Sequence, residues 1–333
     1  MRNLNTICRR WSVAVLGSLM LALQLSGCAW MEDKPIAIAA HVWLGYEPMF
    51  MAREEGWLDT KQVHLVETHS ATESLQLLAA GKVDGAALTL DEMLRARADG
   101  LPLSAVMIFN VSAGADMLLA RSNIKKLADL KGQRVGLEQS SVAEVMLAEV
   151  LRFAKLTKQD ITLVPMPVNM HLNAWDSHQV DALISYEPVA SQLQTLNAVK
   201  LFDSRQIPNT IVDVLVIRTD MLDRSHTKAI RHLLSAHFQA LEHLTHNPQD
   251  AAYRMAPHLG LPADYVISAY KGLQLPNAAH NYQLMSGTKP ELLVNASKLS
   301  KIMFTNKLLK QNDALTSLIH AEFLPTDFLS TDE

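Results

Sequence analysis

The sequence predicts an α/β fold in which mostly parallel sheets are flanked by helices. Short apolar runs alternate with amphipathic helical patterns along most of the chain, as they do in strand–helix–strand units. The chain of 333 residues is also too long for one small core, so we expect two lobes. A third observation, an export signal at the start, indicates that this body lies outside the cytoplasm.

The N-terminus has the features of a lipoprotein signal peptide. Arg2, Arg9 and Arg10 form a basic region, and the apolar stretch that follows over 11–25 is short for a bilayer-spanning helix. Leu-Ser-Gly then precedes Cys28, in the order of a bacterial lipobox. We expect residues 1–27 to be removed by general secretion and residues 28–34 to form a tether lipidated at Cys28. The alternative is an ordinary N-terminal anchor or an uncleaved helix.

Removal of this segment would leave an acidic body without a reactive thiol. The two cysteines are Cys8, in the removed segment, and Cys28, under lipid, so we expect no disulfide and no cysteine-based enzyme or metal site. The mature chain keeps 27 basic against 34 acidic residues, a formal charge of −7, so we expect it not to bind nucleic acid. Ala29-Trp30 lacks the Asp that retains some lipoproteins at the inner membrane, which leaves placement at an outer membrane open.

The first part of the mature chain reads as alternating strands and helices. Pro48 falls in the first turn of a predicted helix, where a missing N–H costs nothing, and Gly81 follows a helix as a stop signal. The predicted strands are 36–42, 63–67, 85–88 and 104–109, and the predicted helices are 48–57, 71–80 and 91–98.

The pattern restarts near residue 117 and then becomes helical. Apolar residues recur at helical spacing over 140–154, and the later helices each begin near Pro, Ser or Asp. The predicted strands are 117–120, 133–137, 161–164, 181–184 and 211–217. The predicted helices are 140–154, 170–178, 188–196, 227–245, 248–258, 262–273 and 290–304.

The tripeptide Tyr-Glu-Pro occurs twice, each time between a predicted strand and a predicted helix. Open parallel sheets bind ligands at the carboxyl ends of their strands, where both copies fall. We therefore expect a tyrosine from each copy to wall one shared cleft with an aromatic ring and a polar tip. The alternative is that both copies are only good helix starts. The candidate residues are Trp43, Gly45 and Tyr46 at the first copy and Tyr186 and Glu187 at the second.

Four segments of the chain resemble the SsuA/THI5-like (NMT1-type) periplasmic binding proteins, which serve nitrate, sulfonate, taurine and pyrimidine uptake. The segments are HVWLGYEP at 41–48, AREEGWL at 52–58, LAAGKVD at 78–84 and KLADLKGQRVG at 126–136. The resemblance covers about 36–304.

This resemblance implies a two-lobed type II periplasmic-binding-protein fold. The implied lobe 1 is 35–112 together with 214–333, and lobe 2 is 113–213. Two crossing segments, near 110–116 and 208–214, would join the lobes, which close around the ligand by hinge rotation.

Five further residues are candidates because they fall at predicted strand ends or crossings. Thr89 follows a strand and could hydrogen-bond a ligand. Ser140 and Ser141 begin a helix whose N-terminal turn, in anion-binding relatives, presents N–H groups and hydroxyls to the ligand; the alternative is an ordinary cap. Asp116 and Asp213 lie on crossing segments, which border the cleft, and could instead bond the hinge backbone.

Acidic residues dominate the predicted strand ends and crossings, and no Arg or Lys occurs in the same turns. A simple anion prefers basic partners or several donors, so an acidic cleft favours a cationic, amine-bearing or ring-nitrogen ligand. Trp43, Tyr46 and Tyr186 would add stacking or cation–π contact. The acidic residues are Glu47, Glu92, Asp116, Glu138, Glu187 and Asp213.

These features predict a lipid-anchored, monomeric solute-binding protein that delivers a small polar ligand to an ABC permease. Two alternatives are a subunit that reports ligand to a membrane sensor and a binder of nitrate, sulfonate or taurine. We expect no enzyme, because no nucleophile elbow, zinc triad or phosphate loop is visible and pyrimidine-synthase relatives rely on cysteine and histidine clusters. His243 and His246 share a helix face that reads better as polar surface, so we also expect no metal and no cofactor.

Overall fold

Two mixed β-sheets form the framework of the protein, and the computed structural model describes residues 33–139 and 141–325. The predicted signal peptide, Cys28 and Ser140 lie outside the described residues. Within the described ranges, no helix has the length and apolar character needed to cross a membrane.

The strands and helices alternate along the chain as the sequence predicts for an α/β protein. The strands are β1 (Ile36–His41), β2 (Val63–Thr68), β3 (Gly85–Thr89), β4 (Leu103–Ser112), β5 (Asp116–Ala120), β6 (Arg134–Leu137), β7 (Thr162–Pro165), β8 (Ala182–Tyr186), β9 (Val199–Asp203), β10 (Val212–Arg218) and β11 (Leu273–Gln274). The helices are α1 (Glu47–Glu54), α2 (Ala71–Ala79), α3 (Leu90–Ala98), α4 (Ser141–Ala154), α5 (His171–Asp176), α6 (Val189–Thr195), α7 (Thr227–His246), α8 (Pro248–Leu259), α9 (Ala263–Tyr270), α10 (Ala278–Met285) and α11 (Glu291–Thr305).

Most strands of each sheet run in one direction. The first sheet has the order β11-β4-β10-β3-β1-β2, in which β1 is parallel to β2 and β3 while β10 is antiparallel to β3 and β4. The second sheet has the order β7-β6-β8-β5-β9, in which β6 is parallel to β7 and β8 while β5 is antiparallel to β8 and β9. The predicted mostly parallel α/β architecture is therefore confirmed.

The chain passes between the two sheets twice, from β4 into β5 and from β9 back into β10. The two passages lie side by side, because the Ser112 N–H donates to the carbonyl of Ile211 at 3.0 Å. Both passages enter a strand that runs against its neighbours, so Asp116 and Asp213 lie at the boundary between the sheets. Asp213 pairs within the first sheet, whereas the predicted lobe boundary falls after it; the division into lobes stays a prediction.

Apolar residues pack against both faces of the second sheet. Along β5, Leu118 and Ala120 join one buried cluster, while Met117 and Leu119 join the other. This alternation is the two-residue period of a strand that is covered on both sides. A larger cluster surrounds the first sheet and holds the long helix α7 against it. The two sheets are thereby rigid supports for the loops at their carboxyl edges.

β9 and α10 lie where the sequence predicted no element, and β11 begins at the last residue of a predicted helix. β9 is an edge strand whose first half is exposed, and β11 has two residues, so neither gives a clear apolar period. The helix predicted over 262–273 ends earlier, at Tyr270, and Leu273 pairs with Ser112 of β4. Gly272 allows this turn, because a Cβ there would lie 2.8 Å from the backbone nitrogen of Ala115.

We predict that Gly85→Ala destabilises the first sheet. A Cβ at this position would lie 2.4 Å from the carbonyl oxygen of Val216 and 2.8 Å from Cδ1 of Ile38, and backbone in a central strand cannot move aside cheaply. Overpacking of this kind lowers the free energy of unfolding by about 1–3 kcal/mol, measured by urea unfolding. His64→Ala, at an exposed position of β2, is the control. Equal stability of the two variants would contradict the prediction.

Candidate functional site

A small cavity of about 20 Å³ lies between the two sheets. It is bounded by the carboxyl ends of β1, β3 and β8 and by the starts of β5 and β10. A space of this size holds about one water molecule. The first side contributes His41, Trp43, Tyr46, Ala71, Thr89, Glu92 and Asp213, and the second contributes Asp116, Val142 and Tyr186. A ligand larger than water can enter only if the two sides or their ring side chains move apart.

Aromatic rings from the two sides meet at this cavity. The rings of Trp43 and Tyr186 are 5.4 Å apart and nearly perpendicular, at 87°. The imidazole of His41 lies 5.4 Å from the ring of Tyr46 and 5.8 Å from that of Tyr186. Edge-to-face contacts of this kind are favourable beyond their buried area. Burial lowers the pKa of His41 to about 4, so its imidazole is neutral at pH 7.

A chain of hydrogen bonds fixes the first side of the cavity. Trp43 Nε1 donates to Asn110 Oδ1 at 3.0 Å, and Asn110 Nδ2 donates to Asp213 Oδ2 at 2.7 Å. The hydroxyl of Tyr46 donates to the other oxygen of Asp213, also at 2.7 Å. Gly45 permits this chain, because a Cβ there would fall 1.7 Å from Asn110 Oδ1. Burial nevertheless raises the pKa of Asp213 well above its usual range.

Two carboxyl groups on the cavity wall each keep one oxygen unpaired. Among the described residues, Glu92 Oε1 and Asp116 Oδ2 have no hydrogen-bond partner, although these residues are only 1% and 5% exposed. The other oxygen of Glu92 accepts the Thr89 N–H at 2.9 Å. Burial raises the pKa of Asp116 to about 7 and that of Glu92 well above its usual range. A buried polar atom without a partner is costly, so these oxygens are the strongest candidates for ligand contacts.

Two polar contacts connect the sides of the cleft near the cavity. Glu138 follows β6 and accepts from the hydroxyl of Thr72, at the start of α2, at 2.8 Å, and from the hydroxyl of Tyr186 at 3.3 Å. Arg95 of α3 pairs with Glu144 of α4 at 2.9 Å. Separation of the two sides would break both contacts.

The structure brings six of the ten predicted ligand-binding residues to the cavity wall. These are Trp43, Tyr46, Thr89, Asp116, Tyr186 and Asp213. Gly45 lies behind the wall, and Ser141 is the first residue of α4, next to Val142. Their roles in ligand binding stay predictions.

Glu187 lies away from this cavity. Its carboxylate accepts the backbone N–H and the hydroxyl of Ser191, both at 2.9 Å, and it lines a separate space of about 480 Å³. Glu47, from the first Tyr-Glu-Pro copy, pairs instead with His258 Nδ1 at 2.7 Å.

The sequence analysis missed His41 and Asn110. His41 is the last residue of β1, so the rule that placed Tyr186 at a strand end also applies to it. Asn110 is fully buried in the apolar strand β4, and a polar residue inside such a run is a signal of a specific hydrogen bond. Within the described ranges, no group of three His, Cys, Asp or Glu residues is arranged to hold a metal ion.

Sequence comparison assigns a family to the chain. A family model described as NMT1/THI5 like matches residues 44–251. The chain belongs to the NMT1/THI5-like family. A putative thiamine biosynthesis protein of Haemophilus influenzae is 27% identical to it over 244 residues, which cover 70% of this chain and 76% of that protein. The predicted family is therefore confirmed.

Solved structures share the fold of this NMT1/THI5-like chain. The alkanesulfonate-binding protein SsuA from Xanthomonas axonopodis pv. citri, bound to MOPS, has 18% sequence identity and a TM-score of 0.74, covering 87% of this chain and 99% of SsuA. The desulfurization enzyme DszB has 18% identity and a TM-score of 0.63, covering 88% and 99%. The two-lobed periplasmic-binding-protein fold is thus confirmed. The same fold carries a binding protein and an enzyme, so it does not by itself decide the activity.

We predict that Tyr46→Phe destabilises the protein. The change leaves Asp213 Oδ1 buried without its donor, which costs about 1–3 kcal/mol of the free energy of unfolding. Urea unfolding measures this loss. Tyr253→Phe removes the same hydroxyl from a side chain that is 76% exposed and should change stability by less than about 0.5 kcal/mol. If the two variants unfold alike, the Tyr46–Asp213 bond does not stabilise the cleft.

Proposed function

We propose that this NMT1/THI5-like protein is an extracytoplasmic solute-binding protein. It captures a small ligand with an amine or ring nitrogen in the cleft between its two sheets and delivers it to an ABC importer. A membrane sensor is the alternative recipient of the bound state. The protein acts by binding, without chemistry of its own.

The unpaired acidic oxygens carry this proposal. Glu92 and Asp116, whose oxygens Oε1 and Oδ2 lack a hydrogen-bond partner, line a cavity walled by Trp43, Tyr46 and Tyr186, and no described Lys or Arg lines it. A ligand N–H group supplies the donor that each carboxylate oxygen lacks, and a charged donor makes the stronger bond. The surrounding ring faces attract a flat or positively charged group.

The thiamine biosynthesis relative supports a pyrimidine as one specific ligand. The pyrimidine half of thiamine carries an exocyclic amine and two ring nitrogens on a flat ring. Such a ring matches both features of the cavity: its N–H groups face the carboxyls, and its faces stack on aromatic side chains.

A sulfonate or nitrate ligand is the second candidate. The alkanesulfonate-binding neighbour supports it by fold, and the start of α4 at Ser141 could present backbone N–H groups to an anion. Glu92, Asp116 and Glu138 oppose it, because each would add negative charge next to the anion.

An enzymatic role is a weaker proposal for this chain. The fold neighbour DszB is an enzyme, and the relative from Haemophilus influenzae is named for biosynthesis. The cysteines of this chain occur at positions 8 and 28, so the described residues supply no cysteine nucleophile to the cleft. Glu92 and Asp116 are therefore better suited to bind a ligand than to form part of a nucleophilic site.

A lipid anchor at Cys28 would hold the protein at a membrane. The support is the order of basic residues, apolar stretch and small residues before Cys28. Two or more acyl chains on one cysteine give stable membrane attachment, which keeps a monomeric receptor near its permease.

We predict that amines and pyrimidines raise the thermal midpoint of the chain lacking residues 1–28. A ligand at about 100 times its Kd adds about 2.7 kcal/mol to the free energy of unfolding. The panel contains aminopyrimidines, polyamines, nitrate, taurine and alkylsulfonates. A shift with sulfonates or nitrate alone would reject the acidic-cleft proposal and favour the second candidate.

The same experiment has a matched pair of variants. Asp116→Asn should weaken the binding of an amine by roughly tenfold to a hundredfold, the loss expected for one charge-assisted hydrogen bond. Asp264→Asn makes the same chemical change at an exposed position and should leave the affinity unchanged. Equal affinities for the two variants would remove Asp116 from the site.

We also predict that Cys28 is the N-terminal, acylated residue of the protein made in a Gram-negative host. Mass spectrometry of the N-terminal peptide should find the acyl groups, and detergent phase partitioning should place the protein in the detergent phase. Cys28→Ala should abolish both results, whereas Cys8→Ala should keep them because Cys8 is removed with the signal peptide. Membrane attachment that survives in Cys28→Ala would contradict the prediction.

A further inference from the structure

We propose that this cleft takes its ligand as an organic cation, in exchange for protons held by the buried acids around the cavity. The inference rests on the function proposed above, and it specifies the charge of the ligand and the release of protons when the ligand binds. It starts from the arrangement of four carboxyl groups: Asp91, Glu92, Asp116 and Asp213.

These four carboxyls share one buried region. Glu92, Asp116 and Asp213 line the cavity, and Asp91 is adjacent to Glu92 at the start of α3. None of the four is more than 5% exposed. Besides Glu92 Oε1 and Asp116 Oδ2, Asp91 Oδ2 also lacks a hydrogen-bond partner among the described residues. Four negative charges this close together in a poorly solvated region are strongly unfavourable without compensating positive charge.

The groups facing the four carboxyls do not supply that positive charge. Arg95 acts on Asp91 and lowers its pKa, but the Arg95 guanidinium is already paired with Glu144 at 2.9 Å. His41 faces the cavity as a neutral imidazole, because burial lowers its pKa to about 4. The remaining titratable groups that face the cluster are Tyr46, Glu138, Tyr186 and Glu187.

Bound protons, rather than a cation, neutralise these carboxyls in the ligand-free protein. Burial raises the pKa values of Asp91 and Asp116 to about 7, and those of Glu92 and Asp213 well above their usual range. When an ammonium or pyrimidinium group enters, its N–H donates to a carboxylate oxygen, and the carboxylic acid O–H that was there gives its proton to solvent. One positive charge enters and one leaves, so the net charge of the buried region stays constant.

The direction of the pH dependence follows from these pKa values. Below pH 7, Asp116 is mostly protonated in the ligand-free protein, so a cation must displace a proton and binds more weakly. Above pH 7 the carboxylate is already ionised, and the affinity levels off. Each exchanged proton changes Kd by about tenfold per pH unit in the window below pH 7. A neutral ligand can accept from the carboxylic acid instead and releases no proton.

Two pyrimidines that differ in charge provide matched probes. 4-Amino-5-aminomethyl-2-methylpyrimidine carries a cationic aminomethyl group at neutral pH, whereas the 5-hydroxymethyl compound is neutral on the same ring. Released protons are counted with a pH-stat in unbuffered potassium chloride, because amine and sulfonate buffers could compete for the cleft. Calorimetry gives Kd between about pH 5.5 and about pH 8.5 in phosphate.

We expect the cationic probe to release about one proton per molecule bound near pH 6 and to bind about tenfold more tightly for each pH unit up to 7. The neutral probe should release none. Asp116→Asn should reduce the release by the cationic probe, while Asp264→Asn should keep it. If Asp116→Asn does not fold, Glu92→Gln is measured in its place. The numbers of protons released by the two probes from the unmodified chain test the exchange without any variant.

Other outcomes separate this inference from the proposed function. Binding of the cationic probe without proton release, or tight binding of the neutral probe alone, overturns the proton exchange and leaves the solute-binding proposal standing. If a polyamine binds and neither pyrimidine does, the number of protons released on polyamine binding is the test. Release of about one proton supports the exchange, and no release overturns it. If taurine or an alkylsulfonate binds while no cation does, both the exchange and the amine-ligand proposal fail.

Discussion

The buried carboxylate of Asp213 holds together the part of the protein on which the cleft depends. It lies at the start of β10, the strand by which the chain returns to the first sheet, and both of its oxygens accept hydrogen bonds, from Tyr46 and from Asn110. Asn110 in turn fixes Trp43. Loss of one donor would leave a buried acceptor unpaired, a cost of about 1–3 kcal/mol. The carboxyl group of Asp213 thus connects the start of β10 with Tyr46, with Asn110 of β4 and, through Asn110, with Trp43.

The contrast between Asp213 and its acidic neighbours separates structural from ligand-facing groups. Asp213 has a donor on each oxygen, whereas Glu92 and Asp116 each keep an oxygen without a hydrogen-bond partner among the described residues. Natural proteins pair most buried polar atoms, so these exceptions on one cavity wall, which among the described residues also include His41 Nδ1 and Thr89 Oγ1, need an explanation. A ligand donor is the simplest one, because the Thr89 N–H that reaches Glu92 bonds its other oxygen, and a ligand N–H supplies the donor that is missing.

In both Tyr-Glu-Pro copies the tyrosine lies at the cavity and the glutamate lies away from it. Each tyrosine hydroxyl donates to a carboxylate near the cavity, Tyr46 to Asp213 and Tyr186 to Glu138. Each glutamate is buried away from the cavity and bonds within its own side: Glu47 to His258 and Glu187 to Ser191. The repeated tripeptide therefore places a ring toward the cleft and an acid against the helix behind it.

Much of this arrangement could be predicted from the sequence, and the rest could not, for physical reasons. The placement of Thr89 and Tyr186 at strand ends, and of Tyr46 in the loop after β1, follows from local periodicity and from the rule that ligands meet the carboxyl edge of parallel strands. The role of Asn110 depends on a contact with Trp43 across 67 positions, which no local pattern encodes. Glu187 looked equivalent to Tyr186 in sequence, but it follows the last residue of β8, and its carboxylate accepts from Ser191 in the first turn of α6.

The small size of the cavity ties ligand binding to motion between the two sides. About 20 Å³ cannot hold a pyrimidine ring, so the rings of Trp43 and Tyr186 or the sheets behind them must separate to admit one. Separation breaks the contacts Thr72–Glu138 and Arg95–Glu144. The Arg95–Glu144 pair is partly exposed and costs little to exchange for water, whereas Glu138 is only 2% exposed and loses a buried partner. The acidic wall works in the same direction above about pH 7, where Asp116 is ionised and repulsion among the carboxylates favours opening. Above about pH 7 a cation placed between the sides removes that repulsion and drives closure, whereas at lower pH it replaces a proton and leaves the net charge of the buried region unchanged.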